Sequence, residues 1–178
     1  VLLSGYRGKD PFCDPFCGSG TIAIEAALIA KNRAPGLNRT FSAQKWDWLP
    51  SQTWVDGAGE AMDLEYDGTY DIWGGDIDPA AVHLAQANAV KADVEDLVHF
   101  TQGDACVFSR QEPYGRIVCN PPYGERLLDQ QMAAQLYRDF GRAVRGLPKG
   151  WRVSVLSAHP AFERAFGAPA DKKRKLYN

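Results

Sequence analysis

No apolar run in the sequence approaches the ~20 residues that a membrane-spanning helix requires. Its opening, Val1-Leu2-Leu3-Ser4-Gly5-Tyr6, lacks the basic start and long apolar stretch of a secretory signal. Paired cysteines are missing too. Cys13, Cys17, Cys106 and Cys119 form no C-x-x-C pair, and His83, His99 and His159 show no ligand spacing relative to them. This excludes a zinc site of familiar spacing and a disulfide framework, and it predicts reduced thiols in a cytoplasmic protein without a structural metal. Excess positive charge is also lacking: 20 Lys and Arg stand against 22 Asp and Glu, a net charge of −2. A chain that held nucleic acid by phosphate contacts alone would be expected to carry a basic surface. The one obvious basic run, Lys172-Lys173-Arg174-Lys175, reads first as a solvated face.

What is present describes a globular α/β domain. Apolar residues make up 45% of the 178, enough for a core of its own. Residues 11–14 read as a buried strand entering a glycine turn. Residues 21–31, free of Gly and Pro and rich in Ala, read as a helix. Strand-like runs recur at 70–76, 97–101, 116–120 and 151–157. Helical segments lie between them at 80–91 and 132–144, with Leu136, Phe140 and Val144 expected on one face, and a short helix is expected over 161–166. Such alternation predicts a mostly parallel sheet covered by helices on both faces. Residues 32–66 break the rhythm. They read as an insertion with one helical stretch, held on the core by Trp46, Trp48 and Trp54. The first residues resemble a helix cut in its middle, and the last stop where a strand could begin, so the 178 residues read as part of a longer protein.

In an open parallel sheet, ligands bind beyond the carboxyl ends of the strands, and four of these ends carry polar groups here. The first opens Asp14-Pro15-Phe16-Cys17-Gly18-Ser19-Gly20-Thr21. Its glycines admit a ligand close to the backbone, and a helix start follows. The third glycine of a dinucleotide fingerprint is absent, and Asp14 would repel a pyrophosphate, which counts against a dehydrogenase. A carboxylate there suits a cation such as the α-ammonium of S-adenosylmethionine. At the second end, Gly75-Asp76-Ile77-Asp78-Pro79, Asp76 can accept from two ribose hydroxyls, while Asp78 suits a helix cap. At the third, Asp104 and the backbone near Ala105 can meet an adenine.

The fourth end, Asn120-Pro121-Pro122-Tyr123-Gly124, is the most specific. An aromatic amine is a poor nucleophile because its lone pair is delocalised into the ring. The Asn120 side-chain oxygen and the Pro121 carbonyl can each accept one of its N–H groups, favouring a tetrahedral nitrogen with its lone pair directed. The prolines stiffen the loop, and Tyr123 can stack on the base. The sulfonium of S-adenosylmethionine is already an activated donor, so this chemistry needs no metal. The same four residues would serve guanine N2, adenine N6 in DNA or RNA, or the N5 amide of glutamine. A module that binds cofactor and RNA without turnover is a further alternative.

The loop at Asp14, with Glu25-Ala26-Ala27 after it, resembles the cofactor loop of the THUMP-associated RNA methyltransferases. Asn120-Pro121-Pro122-Tyr123-Gly124-Glu125-Arg126-Leu127 resembles their catalytic loop. Arg33-Ala34-Pro35-Gly36, the Trp46/Trp48 pair and the tail at residues 172–178 are also similar. Closest in appearance are the bacterial 23S ribosomal RNA guanine-N2 methyltransferases, whose relatives often carry the label of adenine-specific DNA methylase. The resemblance implies a Rossmann-like class I fold of seven strands with an antiparallel last strand. It implies S-adenosylmethionine as cofactor and S-adenosylhomocysteine as product. It also implies a THUMP-type N-terminal region that grips RNA, which these residues do not include, and cofactor or base contacts at the positions named above. Glu125 and Arg126 join them as candidates for positioning the RNA.

Overall fold

A computed structural model describes residues 1–122 and 127–175, the side chains of 127–130 excepted. Five strands, β1 (Phe12–Asp14), β2 (Ile72–Asp76), β3 (His99–Gln102), β4 (Tyr114–Cys119) and β5 (Gly150–Val155), form one sheet in the order β3-β2-β1-β4-β5, every neighbouring pair parallel. The chain starts in the middle, builds outward through β2 and β3, then crosses back to place β4 on the other side of β1. The order therefore reverses between β1 and β4, and a crevice opens at such a reversal in open α/β sheets.

Alternation along the strands divides the core in two. Phe12, Ile72, Phe100 and Val118 belong to one apolar cluster, with Ala23, Ala27 and Ala85 from α1 (Thr21–Lys31) and α3 (Pro79–Ala92). Their neighbours Cys13, Trp73, Ile117 and Cys119 belong to the other, with Phe140 of α4 (Leu127–Arg145) and Phe166 of α5 (Phe162–Phe166). This period of two, with helices on both faces, is the layered arrangement expected from sequence. Among the described residues of α4, Ala133, Tyr137, Phe140 and Gly141 are buried, whereas Leu136 sits one position off that stripe and is half-exposed. Among the described residues no helix is long and apolar enough to cross a membrane.

The insertion departs from expectation. Its helix α2 (Ser51–Asp63) has no buried residue. Trp46 and Trp48 are 51% and 73% exposed and stack on each other, ring centroids 5.4 Å apart, while Trp54 stacks on Phe41. The tryptophans pack within the insertion and do not anchor it. Polar contacts at its neck do so instead. Glu65 pairs with Arg33 at 2.7 Å and Lys31 at 3.2 Å, and Arg33 also binds Asp93. Asn32 Nδ2 donates to the Leu64 carbonyl, and the Tyr66 N–H to that of Lys31.

Candidate active site

Asp14 closes β1 and is wholly buried. Its Oδ1 accepts the N–H of Phe16 at 3.1 Å, which folds Pro15 and Phe16 into a turn; its Oδ2 is buried and meets no donor among the described residues. Burial, reinforced by the charge of Asp76 and opposed by the Phe16 N–H, raises the Asp14 pKa to about 7. The carboxyl is thus tucked beneath its loop, and a cation reaching Oδ2 must first uncover it.

Backbone contacts stitch that loop to the next strand. The Cys17 N–H donates to the Gly75 carbonyl at 2.8 Å, and the Gly18 N–H to Asp76 Oδ2 at 3.0 Å. From α3, Asn88 Nδ2 reaches the Ser19 carbonyl at 2.9 Å. Ser19 and Thr21 share a hydroxyl–hydroxyl bond of 3.0 Å, and the N-cap of α1, Gly20, provides no side-chain cap. Gly20 has φ +84, and a Cβ there would lie 2.9 Å from both Ala85 Cβ and the Phe100 ring. Gly18, at φ +50, faces open space within 4 Å. One glycine packs the loop down, and the other leaves its outer side clear.

Asp76 serves two turns at once: besides Gly18, its Oδ1 accepts the N–H of Asp78 at 3.0 Å. Both oxygens retain accepting capacity, because an ionised carboxylate offers about four lone-pair sites. Asp78 caps α3 by accepting the Ala80 N–H at 2.9 Å, ahead of Pro79 at the first helical position. Ile77 projects between them, 67% exposed. Beyond β3, the exposed Asp104 accepts the N–H of Cys106 at 2.8 Å, and Ala105 is buried. The side chain expected to face a base thus also holds a 3-10 turn.

Beyond β4, Asn120 is exposed and Pro121 wholly buried. The end of the strand is pinned by the Leu156 N–H on the Cys119 carbonyl at 2.9 Å. The exposed Pro122 gives its carbonyl to the hydroxyl of Tyr137 at 2.7 Å. Tyr137 is itself buried on α4, its ring edge-on to His159 and Phe162. It is a member of the site that the sequence did not reveal. Helical spacing places position 137 in the core, and the signal was the hydroxyl, since a buried tyrosine usually finds a partner for its O–H. Tyr123, Glu125 and Arg126 lie outside the described residues.

β1 and β4 are neighbours in register, Cys13 opposite Ile117, so the Asp14 and Asn120 loops leave adjacent strand ends at the sheet's reversal. Cys119, whose pKa burial raises well above its usual value, is raised further by the charge of Asp14. Asp76 joins from β2, where Asp14 pairs with Gly74. The model of the RMKL-like methyltransferase domain family matches residues 1–178. The chain belongs to that family. It is 43% identical over its whole length to the Bacillus subtilis (strain 168) protein named "Putative RNA methyltransferase YpsC", covering 46% of that relative. It is 49% identical to a "predicted N6-adenine-specific DNA methylase" from Listeria monocytogenes, with a TM-score of 0.95 over 99% of this chain and 47% of that one. SMU.472, solved in complex with SAH, is 42% identical with a TM-score of 0.94, again over 99% and 47% of the two chains. This member of the RMKL-like family thus spans about half the length of the relatives it matches, and it has the α/β fold of the S-adenosylmethionine-dependent methyltransferases.

Proposed function

We propose that the protein methylates the exocyclic N2 amino group of a guanine in RNA, 23S ribosomal RNA being the favoured target, with S-adenosylmethionine as donor, and that it works in the cytoplasm. The observation that carries this reading is the emergence of the Asp14 and Asn120 loops from adjacent strand ends. The residues present fit the cofactor. Asp14 Oδ2 is a buried acceptor wanting a donor, which an α-ammonium provides, and the outer side of Gly18 is open. Bound there, S-adenosylmethionine supplies an electrophilic methyl group on a sulfonium centre.

The chain's own residues then divide the work. Asp14 accepts the ammonium, and the backbone of residues 15–21 lines the amino-acid end. Asp76 accepts the ribose hydroxyls with the lone pairs its two backbone donors leave free. Ile77 would offer its exposed side chain to the adenine, and Asp104 with the Ala105 backbone would meet its edge; Asp78 contributes by fixing the turn. At the target base, Asn120 Oδ1 and the Pro121 carbonyl each accept an N–H of the amine, turning its lone pair toward the methyl group. Tyr123, outside the described residues, would stack on the base. The bound donor would give its methyl group to the amine nitrogen and leave as a neutral thioether, and the amine held by Asn120 and Pro121 would lose its extra proton to solvent. Tyr137 keeps Pro122 in place so that the acceptors need not reorganise.

Asn120→Ala tests this directly. Calorimetry should show S-adenosylmethionine binding within a few-fold of wild type. Methyl transfer to RNA should fall on the order of 10²-fold, the scale of removing one preorganised polar group. Near-full transfer by this variant would refute the mechanism. The name of the Listeria relative favours adenine N6 as the second reading; the same acceptors would serve it, and only the identity of the methylated base separates the two.

A further inference from the structure

The small net charge conceals a strong polarity along the chain. Residues 1–130 hold ten Lys and Arg against nineteen Asp and Glu, a net −9, whereas residues 131–178 hold ten against three, a net +7. Asymmetry of this size points to a polyanionic partner for the basic part. The fold gathers most of that charge at one place, the seam between α4 and α5.

Arg138, Arg142 and Arg145 stand at i, i+4 and i+7 of α4, so they form one row, and all three are exposed. The row lies beside Gly141, the point where α5 crosses: a Cβ there would come within 2.1 Å of the Phe166 carbonyl. Arg145 donates to that same carbonyl at 2.5 Å, binding the two helices. Arg164 is exposed on α5. The tail folds back to it through the Ala170 N–H and Lys173 Nζ on Glu163, at 2.7 and 2.5 Å, which brings Lys172 and Arg174 to the same neighbourhood. Among the described residues Asp139 and Glu163 answer this charge with ion pairs, to Arg142 and Lys173. Arg152 is left out of the group, since Trp151 and Val153 on either side of it pack toward α4 and α5 and alternation turns it to the opposite face.

The row also has a direction. Arg138 follows Tyr137, whose hydroxyl holds Pro122, so the basic seam begins beside the Asn120 loop and runs away from it along the helix. At 1.5 Å per residue, Arg138 to Arg145 spans ~10 Å, enough to follow several phosphates of a nucleic acid strand. We propose that the α4–α5 seam, with Arg138, Arg142, Arg164, Lys172 and Arg174, is the surface on which the phosphate backbone of the RNA substrate lies as its target base enters the site. This rests on the methyltransferase reading above and adds a docking face to it.

Two triple variants with equal charge change test the surface. Arg138→Gln/Arg142→Gln/Arg164→Gln removes cations from the seam. Lys9→Gln/Arg39→Gln/Lys91→Gln removes exposed cations from the acidic part. Binding of a fluorescently labelled RNA stem–loop is followed against salt, with melting by circular dichroism to check folding and calorimetry for S-adenosylmethionine. The seam variant should lose roughly tenfold in affinity at low salt, with a log–log salt slope shallower by about two to three, and the control should stay within about twofold. Equal losses in both variants, no loss in either, no RNA binding by the wild type, or preference for duplex DNA would each overturn the docking surface. Failure of the wild type to bind S-adenosylmethionine would instead sink the catalytic reading. The two failures are therefore distinguishable.

Discussion

A carboxyl that is wholly buried and bonded to a backbone N–H, as Asp14 is, holds its proton far longer than one in solution. Its pKa rises from 3.8 to about 7, so between those values the folded chain binds more protons than the unfolded one. Stability from this group is therefore greatest below pH ~4 and is lost as pH rises toward 7. Melting temperature measured across that range should fall with pH in the wild type and fall less in Asp14→Asn; parallel curves would contradict the assignment. The same proton opposes a bound cation, so S-adenosylmethionine affinity should weaken toward ~tenfold for each pH unit below about 7. Much at this scale was legible. Asp14, Asp76, Asp104 and Asn120 were identifiable because each follows a strand-like run. What each carboxylate does with its oxygens was not, because the Asp76 bonds to Gly18 and Asp78 and the Asp104 bond to Cys106 depend on how the turns close.

Elements carry the next constraints. The α1 helix was readable at 21–31 from its uninterrupted Ala-rich run, and α3 from Pro79, which fits a first turn. Strand limits shifted by a few residues, since hydrogen bonding to neighbours sets them, and α4 extends back to Leu127, five residues before the segment read from its apolar spacing. Between α1 and β1 the two glycines should behave differently. Gly20→Ala forces a Cβ against Ala85 and Phe100 at a positive φ, and should destabilise by on the order of 2–4 kcal/mol. Gly18→Ala meets open space and should lose only ~1–2 kcal/mol from its backbone. Denaturant melts of the two variants check the order, and a reversed order would refute this packing of the loop. Tyr137→Phe keeps the ring against His159 and Phe162 but strips Pro122 of its donor. The expected result is a severalfold fall in kcat with S-adenosylmethionine binding unchanged. An unchanged kcat would reduce Tyr137 to core packing.

The whole molecule is charge-polarised: an acidic part that holds the Asp14, Asp76 and Asp104 turns and a basic seam beyond the Asn120 loop. The sequence displayed the alternation that builds this sheet and the four strand ends that converge on it. It misled about residues 32–66, because three tryptophans promise burial when only composition is visible. The fold closes that insertion with Arg33, Glu65 and Asp93 at its neck and leaves Trp46 and Trp48 stacked in solvent. Trp48→Ala should accordingly shift stability by no more than ~0.5 kcal/mol, and a larger loss on melting would mean that the indole is anchored. At this scale one crevice is proposed to bring a sulfonium donor and a guanine amine together. Nucleoside mass spectrometry of ribosomal RNA incubated with the protein and isotope-labelled S-adenosylmethionine tests it most directly. Label in N2-methylguanosine is expected, strongly reduced with Asn120→Ala; label in N6-methyladenosine, or none in RNA, would refute guanine N2 as the acceptor.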